Sequence, residues 1–582
     1  MMLPDQRTRR TTTSGEIIGG LGARGSGVWL GIPYASPPVG DLRWRAPRPP
    51  AAWTGLRETV SQKPPCAQPG PMPLLHPYDP DTEFPFVGSE DCLYLNIWAP
   101  LMDKGEAGTA QGLPVMFWIH GGGNVSHDCA MYDGGVLVEH GVVFVALNYR
   151  LGALGCFSHP ALRETDNEMD RAANFGLLDI IQALQWVQEN IRNFGGDPNN
   201  VTIFGASAGG TNVLALVASP LAQGLFHKAI AQSGTISATS QERAERYFDE
   251  ERGGLIRSSA EVLVQLLIDD RKADGRDAAK RLVSSMTADE ILSYLREKSP
   301  AELHQTYSQL IQCHKDSPRI FESMTARTHQ TLILDEVVLP GHGLLEEFAR
   351  RRCVPVMLGT TRDEDNLMLV EDTNFVSYSE EQGLTFKGVE RFRVASALMS
   401  TLWKANGVDE PAAALSVNQP AVYAYRLDWD EVAPFNGPDR EPYGAAHGVD
   451  AIIFFGIQVD DVTSGGDHPA FSGFGRAMYS YWLEFAKSGT PGTGREHDLP
   501  RWLPWRVDGS EGHFMILDSV EDGGCRMAAG VTTKASVLAT FKRDPRIPAQ
   551  QKRDFLEMLL HYHYHWARLT VEDVAGFIVE DR

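Results

Sequence analysis

Short apolar runs alternate along the chain with segments of helical pattern, and one run in the middle organises the rest. Residues 201–204 are apolar and β-branched, which predicts a buried strand. The sequence G-A-S-A-G follows at 205–209, and the apolar segment 211–219, which ends before Pro220, predicts a buried helix. A strand, a sharp turn that carries a serine and a helix together predict a nucleophile elbow with Ser207 at its apex.

The same alternation predicts the fold class. Apolar runs typical of buried strands occur at residues 114–119, 141–148, 225–234, 354–359 and 421–427, and a helix is predicted over 174–193. Strands that alternate with helices on this scale predict an α/β protein, with a mostly parallel central sheet covered by helices on both faces.

Two regions interrupt this alternation with charged, helical patterns, near residues 240–330 and 376–415. We interpret them as helical insertions, and residues 545–582 as a divergent helical tail. No Pro/Gly/Ser-rich linker or repeat divides the chain. We therefore expect residues 1–582 to form a single elaborated domain.

Composition narrows the class of partner. The 582 residues are 43% hydrophobic and 22% charged, an ordinary globular balance, and the net charge of -22 opposes binding to nucleic acids or anionic membranes. No segment has the length of a membrane-spanning helix. Residues 1–20 are polar with three arginines and no apolar core of a signal peptide, so we expect a cytoplasmic protein. Seven cysteines do not predict a disulfide framework.

The elbow lies within a longer segment, FGGDPNNVTIFGASAGG at 194–210, that resembles the active-site signature of the type-B carboxylesterase/lipase family. These α/β-hydrolases include para-nitrobenzyl esterases and cholinesterases. The segments LGIPYASPPVG at 30–40 and SEDCLYLNIW at 89–98 are also similar to family motifs, and the resemblance extends from about residue 15 to about residue 505. It implies the α/β-hydrolase fold, with the helical insertions over the active site, and hydrolysis of small-molecule carboxylic esters.

The resemblance also implies two structural pairings. Glu90 is expected to pair with Arg43. Cys66 and Cys92 stand where family members close a surface loop with a disulfide, which we expect to be open or partial in a reducing cytosol.

A glycine motif supplies the expected oxyanion hole. The sequence H-G-G-G at 120–123 follows a predicted strand, as in esterases and lipases, where it places backbone N–H groups opposite the nucleophile. By resemblance, the donors are the N–H groups of Gly122, Gly123 and Ala208.

The resemblance also selects a base and an acid. Among 17 histidines, His447 occupies the catalytic place in the family-like segment GAAHGVDAIIFFG at 444–456. The acid is placed at Glu364 in GTTRDED, with Asp363 as the weaker alternative. Asp365 replaces the glycine of relatives, and a neighbouring carboxylate raises the cost of charging Glu364 unless it points to solvent.

The order Ser207, Glu364, His447 is that of the α/β-hydrolases, and the implied mechanism passes through an acyl-enzyme without a metal or organic cofactor. Activity is expected to rise with a midpoint near pH 6–7 as His447 loses its proton.

Several positions depart from the family pattern. Ala206 replaces the usual glutamate before the nucleophile, and residues 77–87 lack the tryptophan with which cholinesterases bind choline. Both departures predict uncharged esters as substrates. Asn124 replaces an aromatic residue, which predicts a more polar or roomier acyl side.

Two further features leave alternatives open. Ser233 aligns with a serine that supports the acid in relatives, or it is a capping serine before Gly234. The run HYHYHW at 561–566 fits an amphipathic closing helix better than a metal site, because no cysteine or carboxylate completes the ligand set.

The alternative functions are a specialised lipase or an amide or carbamate hydrolase of the same fold. A non-catalytic adhesion relative is disfavoured because all triad positions are filled. The sequence sets neither the natural substrate, nor enantioselectivity, nor the choice between monomer and homo-oligomer.

Overall fold

An eleven-stranded sheet forms the centre of the part of the chain that the structure describes. That part comprises residues 2–22, 25–70, 85–101, 112–250, 253–313, 331–370, 372, 375–379, 383–430, 444–456, 474–506, 513–561, 569 and 573 of a computed structural model. From one edge to the other, the strands are Arg526–Ala528, Phe514–Leu517, Val422–Leu427, Val356–Thr361, Lys228–Gln232, Gly196–Ala206, Leu113–Ile119, Val143–Leu147, Tyr94–Ala99, Gly27–Pro33 and Gly20–Leu21. The six neighbouring pairs from Phe514–Leu517 to Val143–Leu147 are parallel. The prediction of a mostly parallel sheet is confirmed.

Burial explains why the central strands read as unbroken apolar runs. Every residue of Val143–Leu147 and of Val356–Thr361 is buried. Along the first of these strands, Val143, Val145 and Leu147 pack into one core cluster, whereas the alternate residues Phe144 and Ala146 pack into the other. Successive side chains point to opposite faces of a sheet, so the two clusters lie on its two faces and both faces are covered.

The α-helices surround this sheet. Their bounds are Gly135–Glu139, Gly152–Gly155, Phe175–Asn190, Ala208–Ala218, Gln241–Glu245, Ser259–Asp269, Arg276–Ser285, Ala288–Glu297, Pro300–Cys313, Leu344–Arg350, Asn366–Leu369, Val389–Lys404, Glu410–Ser416, Val449–Phe455, Phe474–Ser488, Lys534–Arg543 and Ala549–His561. A π-helical turn, Ala405–Asp409, joins two of them. The smaller sheets contain Arg9–Thr12 with Gly15–Ile18 and Leu56–Glu58, Gln68–Pro69 with Phe86–Val87, Ala238–Ser240 with Leu332–Leu334, and Val376–Ser379 with Gly383–Phe386.

The first predicted insertion, near residues 240–330, is helical from Gln241–Glu245 to Pro300–Cys313 within its described part. The prediction for 376–415 is wrong over its first third, where Val376–Ser379 and Gly383–Phe386 form an antiparallel hairpin. β-Branched and aromatic residues favour strands there, and glycines 383 and 388 disfavour a continuous helix. The helix begins at Val389.

The C-terminal tail begins with the helix Ala549–His561, and residues 562–566 of the histidine-rich run lie outside the described residues. No helix in the described part of the chain is both long and apolar enough to cross a membrane. Cys66 and Cys92 are buried free thiols. The predicted pairing of Arg43 with Glu90 is confirmed, because Arg43 Nε donates to a Glu90 carboxylate oxygen at 2.7 Å.

Candidate active site

Ser207 stands between the longest strand of the sheet and a buried helix. Strand Gly196–Ala206 ends at its N-terminal side, and helix Ala208–Ala218 starts at its C-terminal side. Its φ of 60° and ψ of -126° are sparsely populated by residues with side chains, a strain of about 1–3 kcal/mol that the surroundings must offset. The Ser207 N–H donates to the Gln232 carbonyl at 2.9 Å on the neighbouring strand.

Glycines beside Ser207 allow this turn to form because backbone passes very close to them. A Cβ at position 209 would lie 2.0 Å from the Ile119 carbonyl oxygen, and one at position 205 would lie 2.5 Å from the same atom. Neither contact is sterically possible, so both glycines of G-A-S-A-G are required by the crossing of the helix over the strand Leu113–Ile119.

The H-G-G-G segment leaves that strand and lies against the serine turn. A Cβ on Gly121 would approach Ser207 Cβ to 3.1 Å, and Gly122 and Gly123 have φ values of 88° and 63°. Within the described part of the chain, no acceptor receives a hydrogen bond from the N–H groups of Gly122, Gly123 or Ala208. These three N–H groups are therefore not committed to an acceptor within the described protein.

His120, the first residue of this segment, is not a competing base. Its ring stacks on Tyr149 with centroids 4.5 Å apart, and burial lowers the pKa of His120 to about 3. The imidazole is neutral at physiological pH and fills the core behind the glycines.

Glu364 and His447 form a buried pair. His447 Nδ1 lies 2.5 Å from Glu364 Oε2, while Glu364 Oε1 accepts hydrogen bonds of 2.7 Å from the Thr360 hydroxyl and the Thr361 N–H. The carboxylate is fully buried. One carboxylate oxygen is therefore anchored by Thr360 and Thr361, and the other holds the imidazole of His447 in one orientation.

The electrostatics of the pair favour charge on both partners. Burial acts to lower the pKa of His447, but the charge and hydrogen bond of Glu364 outweigh burial and raise that pKa. Burial acts to raise the pKa of Glu364, but His447 and the hydrogen bond from Thr360 outweigh it, so that this pKa is lowered. A positive charge on the His447 imidazole is therefore stabilised by the Glu364 carboxylate.

The structure brings Glu364 and His447 together but records no hydrogen bond between His447 and Ser207. Among the described residues, the buried His447 Nε2 atom has no hydrogen-bond partner. Catalytic hydrogen bonds are often long before substrate binds, so this absence is compatible with proton transfer between Ser207 and His447. Ser207 reaches the same region because Ala206 pairs with Gln232, and Gln232 pairs with Gly359, in adjacent parallel strands.

The alternative acid, Asp363, has other partners. It forms an ion pair of 2.8 Å with Arg362 and accepts the Ala445 N–H at 3.0 Å. Asp365 is fully buried rather than exposed, and neither of its carboxyl oxygens has a hydrogen-bond partner in the described structure. Burial first and Glu364 second raise the pKa of Asp365 well above its usual value.

Sequence reasoning missed a second link between the histidine segment and the elbow. Asp450 accepts hydrogen bonds from Gln232 Nε2 at 3.0 Å and from the Tyr425 hydroxyl at 2.9 Å, and the Gln232 carbonyl accepts the Ser207 N–H. The sequence signal for this link is Asp450 itself, a carboxylate one helical turn after His447 in an otherwise apolar segment. Asp450 connects the segment that carries His447 to the strand that bonds to Ser207.

Trp403 and Ser233 also lie beside the Glu364–His447 pair, and only Ser233 is indicated by the sequence. The Trp403 ring packs on the His447 ring with centroids 4.9 Å apart, which no motif indicates. Ser233 has a φ of 48°, and its hydroxyl is outside hydrogen-bond geometry to any described group, yet near enough to help lower the pKa of Glu364.

Asn124 is placed differently from the prediction of a more polar acyl side. Its amide oxygen accepts a hydrogen bond from Asn212 Nδ2 at 2.8 Å and lies 3.3 Å from the Tyr149 hydroxyl. The polar atoms are thus committed to neighbours within the protein. No cluster of three or more His, Cys, Asp or Glu side chains in the described residues could hold a metal ion.

Comparisons with known proteins agree with this geometry. The model of the carboxylesterase family matches residues 6–393. The para-nitrobenzyl esterase of Bacillus subtilis (strain 168) is 31% identical over 533 residues, which are 88% of this chain and 94% of that protein. A solved thermophilic para-nitrobenzyl esterase superposes with a TM-score of 0.66 at 28% identity, covering 94% of this chain and 100% of that one.

A more identical but shorter match is to the medium-chain fatty acyl-CoA hydrolase precursor of Anas platyrhynchos. The two are 40% identical over 290 residues, which are 48% of this chain and 50% of that protein, so the match spans about half the length of each. The family match and the long structural match together confirm the predicted fold. The chain belongs to the carboxylesterase family, a family of carboxylic-ester hydrolases with the α/β-hydrolase fold.

Proposed function

We propose that this protein hydrolyses uncharged carboxylic esters through an acyl-enzyme on Ser207. The observation that carries the proposal is the buried Glu364–His447 pair, which lies beyond the carboxyl ends of the central parallel strands, where the strand before Ser207 also ends. The carboxyl ends of parallel strands are where α/β proteins bind substrates. The family membership supports the same reaction class.

In the first half of the reaction, His447 Nε2 takes the Ser207 proton as the hydroxyl oxygen attacks the ester carbonyl. The N–H groups of Gly122, Gly123 and Ala208 stabilise the negative charge that develops on the carbonyl oxygen. Each such donor contributes about 3 kcal/mol to the stabilisation of the transition state. His447 then protonates the departing alcohol as the tetrahedral intermediate collapses to the acyl-enzyme.

In the second half, a water molecule attacks the acyl carbon, and His447 Nε2 takes its proton. The second tetrahedral intermediate releases the carboxylic acid and returns the proton to Ser207. Glu364 keeps the imidazole oriented through Nδ1 and stabilises its positive charge in both halves. These steps require no metal or organic cofactor.

The preference for uncharged esters rests on the surroundings of Ser207. Ala206 is a buried apolar residue, where a glutamate would place a negative charge next to the nucleophile. The Glu364 carboxylate is fully buried, and its oxygens accept hydrogen bonds from His447, Thr360 and Thr361. Neither group is free to stabilise a cationic alcohol.

The test compares hydrolysis of p-nitrophenyl acetate through octanoate by the wild type, Ser207→Ala and Ser219→Ala. Ser219 ends the same helix, is fully buried and has a hydroxyl without a hydrogen-bond partner in the described structure, which makes it a matched control. Turnover should disappear in Ser207→Ala and persist in Ser219→Ala. Equal turnover by Ser207→Ala and the wild type would refute the assignment.

A further inference from the structure

Two facing asparagines join the oxyanion loop, residues 120–124, to the nucleophile helix, Ala208–Ala218. Asn124 directly follows the glycines, and Asn212 lies one helical turn after Ala208. Both side chains are buried, and Asn212 Nδ2 donates to Asn124 Oδ1 at 2.8 Å while Asn124 Nδ2 donates to Asn212 Oδ1 at 3.4 Å. The two contacts make a reciprocal amide pair.

Tyr149 completes the hydrogen-bond network. Its hydroxyl donates to the His120 carbonyl at 2.8 Å, and the second hydrogen of Asn212 Nδ2 is directed to the same hydroxyl oxygen at 3.4 Å. Burial raises the pKa of Tyr149, so the hydroxyl keeps the proton that this arrangement needs. The backbone carbonyl of Asn124 also accepts the Gly152 N–H at 2.6 Å. Each oxygen and nitrogen atom of the two side-chain amides takes part in a hydrogen bond of this network.

The surroundings give these contacts little freedom. The cavity beside the pair, which Asn124, Tyr149 and Asn212 help to line, has a volume of about 10 Å³, room for at most one water molecule. Asn124 has a φ of 59°, a conformation that asparagine tolerates better than most residues. The loop is thus held in one conformation by packing, backbone and side chain together.

We propose that Asn124 and Asn212 are positioning residues that fix the oxyanion loop against the nucleophile helix and so set the separation of the three N–H donors. The inference rests on the proposed function, because two of the donors lie on the loop before Asn124 and the third lies on the helix before Asn212. Oxyanion stabilisation depends steeply on donor geometry, and a displacement of about 1 Å can cost on the order of 100-fold in rate.

The experiment measures kcat, KM and inhibition by a trifluoromethyl ketone, whose adduct with Ser207 carries an oxyanion. The variants are Asn124→Gly, in which glycine accommodates the positive φ, and Asn212→Ala, with their double variant. Each single change should lower kcat about 10- to 100-fold and raise the inhibition constant of the ketone by a similar factor. KM should stay within about twofold of the wild-type value. The double variant should lose no more kcat than the less active of the two single variants, because both changes remove the same contact.

Asn190→Ala is the matched control. Asn190 is a fully buried amide that accepts the Thr13 N–H at 2.7 Å and donates to the Trp186 carbonyl at 2.9 Å. Its loss should lower the melting temperature without changing kcat per active site, as counted by fluorophosphonate titration. If Asn212→Ala fails to fold, Asn124→Gly carries the test alone.

Two results would overturn the proposal: kcat within twofold of wild type in the folded single variants, or additive losses in the double variant. Ser207→Ala, assayed in parallel, separates this failure from failure of the proposed function. Active Ser207→Ala would refute the function itself, whereas inactive Ser207→Ala beside fully active asparagine variants would refute only the positioning role.

Discussion

Glu364 and Asp365 are consecutive and fully buried, but only Glu364 has hydrogen-bond partners for its carboxylate. Thr360, Thr361 and His447 bond to Glu364, whereas both oxygens of Asp365 lack partners within the described structure. The pKa values of the two adjacent carboxyls therefore move in opposite directions. Burial alone would raise the pKa of Glu364, but His447 and the hydrogen bonds outweigh it and lower that pKa, whereas burial and the neighbouring Glu364 charge raise the pKa of Asp365 well above its usual value.

The raised pKa of Asp365 predicts that this residue destabilises the protein increasingly as pH rises. Because the folded-state pKa of Asp365 is raised above its unfolded value of about 3.9, folding binds a proton between those two pKa values. Stability is lost as pH rises through that interval. Asp365→Asn should unfold at higher urea concentration than wild type, and its gain in unfolding free energy should grow with pH, by at most about 1.4 kcal/mol per pH unit, until the pH passes the folded-state pKa of Asp365.

Denaturation of both proteins at pH 5, 6, 7 and 8 measures this gain. Asp41→Asn serves as control, because the Asp41 side chain is fully exposed and its replacement should give the same small difference at every pH. A constant difference between Asp365→Asn and wild type from pH 5 to pH 8 would show that Asp365 is ionised in the folded protein.

The Glu364–His447 pair predicts the acidic limb of the activity profile. The pKa of His447 is raised, so kcat/KM should increase with pH with a midpoint above about 6.5, at the upper end of the range expected from the sequence or beyond it. Glu364→Gln removes the negative charge that raises this pKa. Its midpoint should move to lower pH, and kcat should fall on the order of 10⁴-fold, because the glutamine amide group can donate to Nδ1 and hold the imidazole in the wrong tautomer.

Initial rates from pH 4.5 to pH 9 give both midpoints. Thr360→Val is an informative companion, since it deletes one hydroxyl that donates to Glu364 but leaves the His447 hydrogen bond intact. A Glu364→Gln midpoint equal to that of wild type would mean that another group titrates.

The parts of the site that sequence predicts are those encoded within short segments. Gly205 and Gly209 flank Ser207 because the Ile119 carbonyl leaves no room for a side chain, and that requirement appears as a local spacing. The pairing of Glu364 with His447 came from family motifs, and the structure joins the two residues across 83 positions of sequence. Motif position selected Glu364 over Asp363, and the separate partners of Asp363 explain the choice physically.

The parts that sequence does not predict depend on contacts between distant segments. Asn124 and Asn212 are 88 residues apart, and Gln232 and Asp450 are 218 apart, so no periodicity places either pair together. Asn124 alone suggested a more polar acyl side, because a lone polar residue gives no sign of the partner that satisfies it. The same limit applies to Trp403, whose contact with His447 follows from the packing of its helix.

The close crossing at Gly209 predicts a large structural cost for any side chain there. In Gly209→Ala the new Cβ would lie 2.0 Å from the Ile119 carbonyl oxygen, an atom fixed in the central sheet. Moving this strand or the helix should cost about 3 kcal/mol or more. We expect a lower melting temperature and loss of soluble protein, measured by thermal denaturation. Gly388→Ala is the control, since its nearest neighbour would be at 3.8 Å, and a similar loss in both variants would contradict this account.

The apolar Ala206 beside the nucleophile predicts discrimination against cationic alcohols. Butyrylcholine and 3,3-dimethylbutyl butyrate have nearly the same shape and the same acyl group, and they differ in the positive charge. A quaternary ammonium must lose water to bind, and the buried Ala206 position offers no anion in return. We expect kcat/KM for the neutral ester to exceed that for butyrylcholine by about tenfold or more, as measured by pH-stat titration of the released acid. Equal kcat/KM for the two esters would require an anionic or aromatic group near the alcohol that compensates the charge. That result would contradict the prediction made from Ala206.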